Sequence, residues 1–298
     1  MPQSAVRLAL VASRIRSDEK LLLAAAEKQA VPVTVVDSRT LTCALDAGRP
    51  DWDLALNREI GYTRALYAAR GIEAAHGTVV NSARATELCG DKWQTSVALA
   101  RAGVATPRTV LALTPEAALD ALSEVGYPAV LKPLVGSWGR LVTPVADEAT
   151  ARLVLEYVAA LPHPTSHIVY AQEMVDKRGR DLRVAVIGGR AVAAAHRSGP
   201  EWRTNVHLGA TAQACALSPE LDRLAVDAAA AVGAEIAGVD VVEDADGRPF
   251  VLEVNHGFEF TGLQESLGRT LDVAGEIVAY LTERSDTPRA LDARGAAA

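Results

Sequence analysis

Cysteine is sparse in this sequence. Three occur among 298 residues, at Cys43, Cys89 and Cys215, and no CxxC pair is present. That excludes a disulfide framework and a zinc ribbon and fits a reducing cytoplasm, the expected location. Long apolar runs are missing as well. The early run VRLALVA is short and passes into RIRSDEK, so it reads as a strand rather than a signal peptide or membrane span. Positive charge is in deficit: the formal net charge is −7, which argues against general nucleic-acid binding. Several signatures are absent. No GxGxxG follows the first strand, no Gly-Lys-Ser/Thr completes a Walker A loop, and neither HExxH nor GxSxG occurs. No repeat of solenoid length is visible.

What is present is enough apolar content, 49%, for a substantial core in two or three subdomains. Strand and helix alternate over 1–85, which predicts a small parallel α/β domain. A helix is expected over 17–30 and one long helix over 83–102. Strands and helices continue to a last helix over 272–281, and the tail 283–298 has little periodic apolar content and is expected to be disordered.

The most informative stretch is GVDVVEDADGRPFVLEVNHGFEF, residues 238–260. Asp246-Gly247 suits a two-residue type I′ turn. In that register Val241 faces Leu252, Val239 faces Val254, and Asp240 lies opposite Glu253, with Asn255 further along the same face. Two carboxylates side by side repel. Either a cation sits between them, and oxygen-only ligands favour Mg²⁺ or Mn²⁺ over Zn²⁺, or one carboxylate pairs with an arginine or turns to water.

Other residues that could carry chemistry are distributed along the chain. Gly136-Ser137-Trp138-Gly139-Arg140 follows a strand ending in Lys132; its glycines would let backbone N–H groups approach a phosphate, though a plain loop reads the same way. Lys132 in an apolar strand calls for an anion. Lys92 follows Gly90-Asp91 and could equally be a solvated surface lysine. Gln172-Glu173-Met174-Val175 ends a strand and could either meet a purine or simply terminate. Arg183, Arg197, Arg203 and Asn205 could neutralise phosphate charge or form surface ion pairs. His196, His207 and His256 fall near these residues, with a structural hydrogen bond as the simpler role.

In order along the chain these are two lysines, a glycine loop, arginines and an Asp/Glu/Asn oxygen cluster, the equipment for a nucleoside triphosphate with Mg²⁺. The segments RIRSDEKLL, CGDKWQTSVALARAG, YPAVLKPLVGSWGRLV, QEMVDKRGRDLRVAVIGGRAVAA, WRTNVHLGA and LEVNHGFEF resemble the RimK-like group of ATP-grasp ligases, and within it the LysX and ArgX type. The resemblance implies an α/β (α+β) ATP-grasp fold with a Rossmann-like pre-ATP-grasp domain over 1–85, a linker helix and lid over 86–172 and a C-terminal subdomain over 173–282. It implies that Lys92, Lys132 and Gly136–Arg140 hold ATP phosphates, that Gln172, Glu173 and Val175 form the adenine hinge, and that Asp181 reaches the ribose. Arg203, Asn205 and Arg183 would be catalytic, and Asp240, Glu253 and Asn255 would be metal ligands. Arg197 and the segment His256, Gly257, Phe258, Glu259, Phe260 and Thr261 would bind substrate.

The implied reaction phosphorylates the terminal glutamate carboxylate of a small acidic LysW-like carrier protein, after which an amino acid's α-amine displaces phosphate. A homodimer or homotetramer is expected, with neither nucleic acid nor membrane as partner. LysX-type sequences continue Asn-His-Thr-Met-Glu-Phe-Lys-Asn, whereas this chain has Thr261 and Gly262 in the last two places. That loss of polar groups leaves glutamate, α-aminoadipate or a related amino acid as the acceptor. The alternatives are a RimK-like glutamate ligase acting on another protein tail or a small peptide, and a nucleotide-binding protein without ligase activity. An acidic carrier meeting an acidic enzyme also predicts a local basic face, built from Arg14, Arg16, Arg58 and Arg64.

Overall fold

The computed structural model describes residues 6–45, 48–136, 140–177, 179–199 and 211–286. The first sheet is parallel, in the order β2 (Val33–Asp37), β1 (Leu8–Ala12), β3 (Leu54–Asn57), β4 (Val79–Val80). Every residue of β1 and β3 is buried, as continuous apolar strands of a covered parallel sheet should be. The connecting helices are α1 (Ser17–Lys28) and α2 (Tyr62–Ala74). Chain order reverses between β1 and β3, so the loops at the carboxyl ends of these two strands flank a crevice.

The long helix expected over 83–102 is two helices, α3 (Ala83–Gly90) and α4 (Lys92–Arg101). Asp91 is extended, at φ −117° and ψ 115°, and its carboxylate caps α4 by accepting from the Gln94 amide. Apolar periodicity runs through the break, but an N-capping aspartate outcompetes continuation. Gly90 is required there, since a Cβ would lie 1.8 Å from the Tyr62 ring. The break points the first residue of α4, Lys92, at the loop that follows Lys132.

The second sheet is antiparallel, in the order β5 (Thr109–Ala112), β8 (Val169–Glu173), β6 (Ala129–Lys132), β7 (Thr143–Val145). It is covered by α5 (Pro115–Val125) and α6 (Glu148–Ala159), with its own small core around Leu122, Leu131 and Leu155. The third sheet, also antiparallel, runs β11 (Thr211–Cys215), β10 (Arg190–Ser198), β9 (Arg180–Ile187), β12 (Ile236–Glu243), β13 (Pro249–Asn255). One face packs on α7 (Pro219–Ala231) through Leu182, Val184, Val239 and Val254.

The β12–β13 hairpin pairs Asp240 with Glu253 and Val239 with Val254, as expected, but Val241 with Val251 rather than Leu252. The turn is not the two-residue type. Its loop spans Ala245–Gly247, with Gly247 at φ 85° and the Asp244 amide bonded to the Arg248 carbonyl at 3.0 Å. The Asp244 carboxylate accepts from the amides of Asp246 and Arg248, which favours this longer turn. A bulge at Leu252 absorbs the extra residue and restores the pairing at the charged end.

Two helices follow, α8 (Thr261–Leu267) and α9 (Val273–Asp286). The latter extends into the stretch expected to be disordered; residues 287–298 lie outside the described residues. The first and third sheets share one core. Leu8, Leu10 and Leu56 of the parallel sheet pack with Ile187, Ile236, Phe258, Phe260 and α9. A buried ion cluster ties the same two parts together. The Arg58 guanidinium donates to Asp18 at 2.8 Å, to Glu19 at 2.9 Å and to the Phe258 carbonyl at 2.9 Å. Asp18 in turn accepts from the amides of Phe260 and Thr261, capping α8 from a distant part of the chain. Removing one partner of a buried pair strands the others, at about 3–5 kcal/mol. Arg58→Met is therefore expected to lower the unfolding free energy by roughly that amount in urea titrations.

Candidate active site

A row of residues crosses the third sheet: Ala195, Arg183, Asp240 and Glu253 are neighbours on β10, β9, β12 and β13. Side chains two residues along share the face, which adds Arg197, Asp181 and Asn255. Asp240, 4% exposed, is gripped by two arginines. Arg183 Nε and Nη2 both donate to it, the latter at 3.0 Å, and Arg197 Nη2 lies 3.0 Å from Oδ1. Burial alone would raise the Asp240 carboxyl, but these arginines override it and hold it below its ordinary value. Asn255 Nδ2 donates to Glu253 at 3.2 Å and Asp240 at 3.4 Å. Both readings of the hairpin therefore meet here: Asp240 is arginine-paired, and Asp240, Glu253 and the Asn255 amide still converge.

The donor set fits a hard divalent cation. Two carboxylates and an amide carbonyl are too few to cage Ca²⁺, but they suit Mg²⁺, which keeps waters and takes further oxygens from phosphates. No group of three or more His, Cys, Asp or Glu that could hold a metal occurs among the described residues, so the set here rests on two carboxylates and the Asn255 amide.

On the opposite side, Lys92 Nζ donates to the Gly136 carbonyl at 2.9 Å and the Lys92 amide to the Leu134 carbonyl at 3.0 Å. Ser137, Trp138 and Gly139 lie outside the described residues; Arg140 follows them, exposed. Lys132 Nζ donates to Gln172 Oε1 at 2.6 Å and lies 5.8 Å from the centre of the Tyr170 ring. Burial pushes the Lys132 ammonium down to about 8, with Lys92 adding to the effect and Glu253 and Asp240 opposing it. Gln172 is buried and also donates to Thr109 Oγ1 and Tyr170 Oη, so its side chain positions Lys132. Glu173 bonds Arg108 through side chain and amide, and the Met174 amide is bonded to the Pro128 carbonyl. Val175, half-buried, continues from them.

A cleft of about 770 Å³ joins these parts. Lys92, Gly136, Arg183, Arg197, Glu253, Asn255 and the segment from His256 to Glu259 line it, together with Thr261 and Gly262. Lys132, Gln172, Glu173 and Val175 stand outside this lining, on the side of the second sheet. Arg203, Asn205 and His207 fall outside the described residues.

Several expectations need correction. Asp181, expected to reach the ribose, is buried and accepts from Arg197 Nε at 2.7 Å, so it also supports that arginine. Phe260 is fully buried in the shared core, so its ring cannot line a substrate site, whereas Phe258, 2% exposed, borders the cleft. Gly238 makes room for Phe258, since a Cβ there would fall 2.5 Å from it. Thr261 Oγ1 donates to Asp18, so its hydroxyl is already engaged. Of the arginines expected to form a basic face, Arg58 is buried in the ion cluster and Arg16 pairs with Glu19 and Glu259, whereas Arg14 is exposed and Arg64, half-exposed, pairs with Glu59. His256 is held neutral, pushed down to about 4 by burial and by Arg58. Among the described residues His196 Nδ1 is buried with no hydrogen-bond partner, which does not match the structural bond expected of it, and burial favours its neutral form.

Residues after β1 and β3 with no role expected from the sequence also line the cleft: Ser17, Glu59, Ile60, Gly61 and Tyr62, beside Arg16, which was expected on a basic face. Their signal was positional, since they follow β1 and β3, where strand order reverses.

The RimK-like ATP-grasp domain model matches residues 89–281, and the LysX preATP-grasp domain model matches residues 8–88. This chain belongs to the RimK-like ATP-grasp ligases. It is 32% identical over 278 residues to the glutamate–LysW ligase ArgX of Sulfolobus acidocaldarius, covering 93% of this chain and 98% of that protein. The α-aminoadipate–LysW ligase LysX of the same organism is 32% identical over 246 residues, covering 81% and 89%. The crystal structure of an ATP-grasp RimK domain protein from Sphaerobacter thermophilus superposes with a TM-score of 0.77 at 27% identity, covering 93% of this chain and 99% of that one. The α/β ATP-grasp fold and its LysX-type N-terminal domain are thus as expected. The protein is an ATP-dependent ligase that joins a carboxylate to an amine in a C–N bond.

The arginine grip on Asp240 gives a prediction. A carboxyl held below its ordinary value contributes stability that is present above about pH 4 and lost as pH falls through the folded value. Asp240→Asn should lower stability by about 3–5 kcal/mol near neutral pH, because Arg183 and Arg197 lose their counter-charge. The gap to the unsubstituted protein should narrow in acid, as read from urea midpoints across pH.

Proposed function

We propose that this ligase activates the terminal glutamate side-chain carboxylate of a LysW-type carrier protein as an acyl phosphate and joins it to the α-amine of an acidic amino acid. The observation that carries the reading is the single cleft in which the Lys92–Gly136 contact, the Glu253/Asn255 oxygens and Arg183/Arg197 all face one space. The relatives named for LysW ligation support the carrier, and those named for glutamate and α-aminoadipate support the acceptor.

A free carboxylate is a poor electrophile, and phosphorylation supplies its leaving group. Lys92 and Lys132 would neutralise the phosphates beside the backbone around Gly136, while the end of the Gln172 strand, at Glu173 and Val175, would receive the adenine and the Gln172 side chain would hold Lys132 in place. Asp240, Glu253 and Asn255 would hold Mg²⁺, which would supply positive charge to offset that of the phosphates. The Asn255 amide would then rotate to present Oδ1 in place of Nδ2. Arg183 and Arg197, with Arg203 and Asn205, would stabilise charge as the γ-phosphoryl transfers. Closure of Gly136–Arg140 would keep water from the acyl phosphate. The chain segments 1–85, 86–172 and 173–282 would act as acceptor wall, lid and metal-binding base.

The direct test incubates the enzyme with Mg·ATP, a LysW-type carrier from the same genome and a panel of amino acids. A carrier mass increase by one glutamyl or aminoadipyl unit, with ADP release requiring the carrier, is expected; ADP release unaffected by the carrier would refute the reading. A second expectation concerns Lys132. An ammonium depressed to about 8 regains a proton when phosphates approach. ATP binding should take up close to one proton above about pH 8 and much less near pH 7, by calorimetry in buffers of different ionisation enthalpy. Lys132→Met should abolish that pH dependence along with most of the affinity.

A further inference from the structure

The Arg16 guanidinium is held along one edge and offered along the other. Nε and Nη2 each donate at 3.0 Å to Glu19, which is fully buried, while Nη1 donates at 2.7 Å to Glu259. Glu19 is fixed in turn by Arg58. The two partners of Arg16 differ in kind. Glu19 is immobile in the ion cluster, whereas the Glu259 side chain is 50% exposed and lines the cleft. Arg16 also stands just after β1, at the reversal of strand order where ligands of open α/β sheets sit. A guanidinium whose orientation is fixed by a buried carboxylate suits carboxylate recognition, because its exposed donors cost no ordering when a ligand arrives.

From this arrangement we infer that Arg16 and Glu259 are the anchor for the incoming amino acid: Arg16 Nη1 takes a substrate carboxylate in place of Glu259, and the released Glu259 takes the α-ammonium. The inference rests on the ligase reading above. It assigns Arg16 to the acceptor amino acid, not to the carrier, and it gives Glu259 a chemical role. The amino acid enters as an ammonium, which cannot attack. Glu259 accepts one proton, the freed nitrogen lone pair attacks the acyl carbon, and the C–O bond to phosphate breaks with its electron pair leaving on phosphate. The second nitrogen proton leaves with the phosphate, so the products are the amide and hydrogen phosphate. The Glu259 proton returns to solvent. One carboxylate and the α-ammonium of the amino acid thus replace an ion pair of the same two signs, and the second carboxylate of an acidic amino acid adds one negative charge to the cleft.

The test separates this step from carboxylate activation. Hydroxylamine, largely unprotonated at neutral pH, traps an acyl phosphate without an amino-acid site. Arg16→Gln and Glu259→Gln are compared for carrier hydroxamate formation and for amide formation with glutamate. Glu19 keeps Arg58 in the first variant, and the second alters a half-exposed side chain, so both should fold. Arg16→Gln should raise KM for glutamate by roughly 10- to 100-fold, the loss of a charge-assisted hydrogen bond. Glu259→Gln should lower kcat for amide formation by about 100-fold or more. Hydroxamate rates should stay within about twofold in both, far below those losses. Wild-type KM and kcat for glutamate in the variants, with hydroxamate formed, overturn the anchor alone. Hydroxamate and amide falling together also overturn it, because the residues would then act on activation. No hydroxamate from the unsubstituted enzyme overturns the activation reading and the anchor with it.

Discussion

Two carboxylates facing each other across a ladder are the constraint on which the rest of this structure depends. Asp240 and Glu253 are directly paired on β12 and β13, and Asp240 is nearly buried. Left alone they would repel and Asp240 would protonate. The sheet answers with arginines from the two strands beyond, Arg183 on β9 and Arg197 on β10, and steadies Arg197 with Asp181. The second sheet contributes a lysine close enough for Glu253 and Asp240 to be felt in its titration. A balanced set of fixed charges in a partly desolvated cleft is already arranged for a polyanion and its cation, so little reorganisation is required when they bind.

The wall opposite is built by different means. Arg58, Asp18 and Glu19 form a buried ion cluster that fastens the start of α8 and the Phe258 carbonyl to the parallel sheet. The shared apolar core fixes the two parts further. The first and third sheets thus share one core, whereas the second sheet has its own and carries Lys132.

Much of this was legible in the sequence, and the failures have physical causes. The strand–helix alternation gave the parallel sheet, and the Asp240–Glu253 pairing was readable because a period of two fixes which residues share a face. The turn was misread, since the Asp244 carboxylate captures two amides and lengthens the loop; the bulge at Leu252 then restored the register where it matters. The helix break at Asp91 was hidden because apolar spacing continues across it, though Asp91 is itself a capping residue. Phe260, Thr261 and Arg58 were read as functional surface because a motif gives position along the chain but not burial. Arg16 and Glu259, 243 residues apart, meet only in the folded molecule.

The central claim is that the carrier's carboxylate attacks phosphorus. Carrier labelled with ¹⁸O in its terminal glutamate side-chain carboxylate tests it most directly, by mass analysis of released phosphate during amide formation. One labelled oxygen is expected in each phosphate, transferred from the carboxylate as the C–O bond breaks. Unlabelled phosphate accompanying stoichiometric amide would contradict the claim.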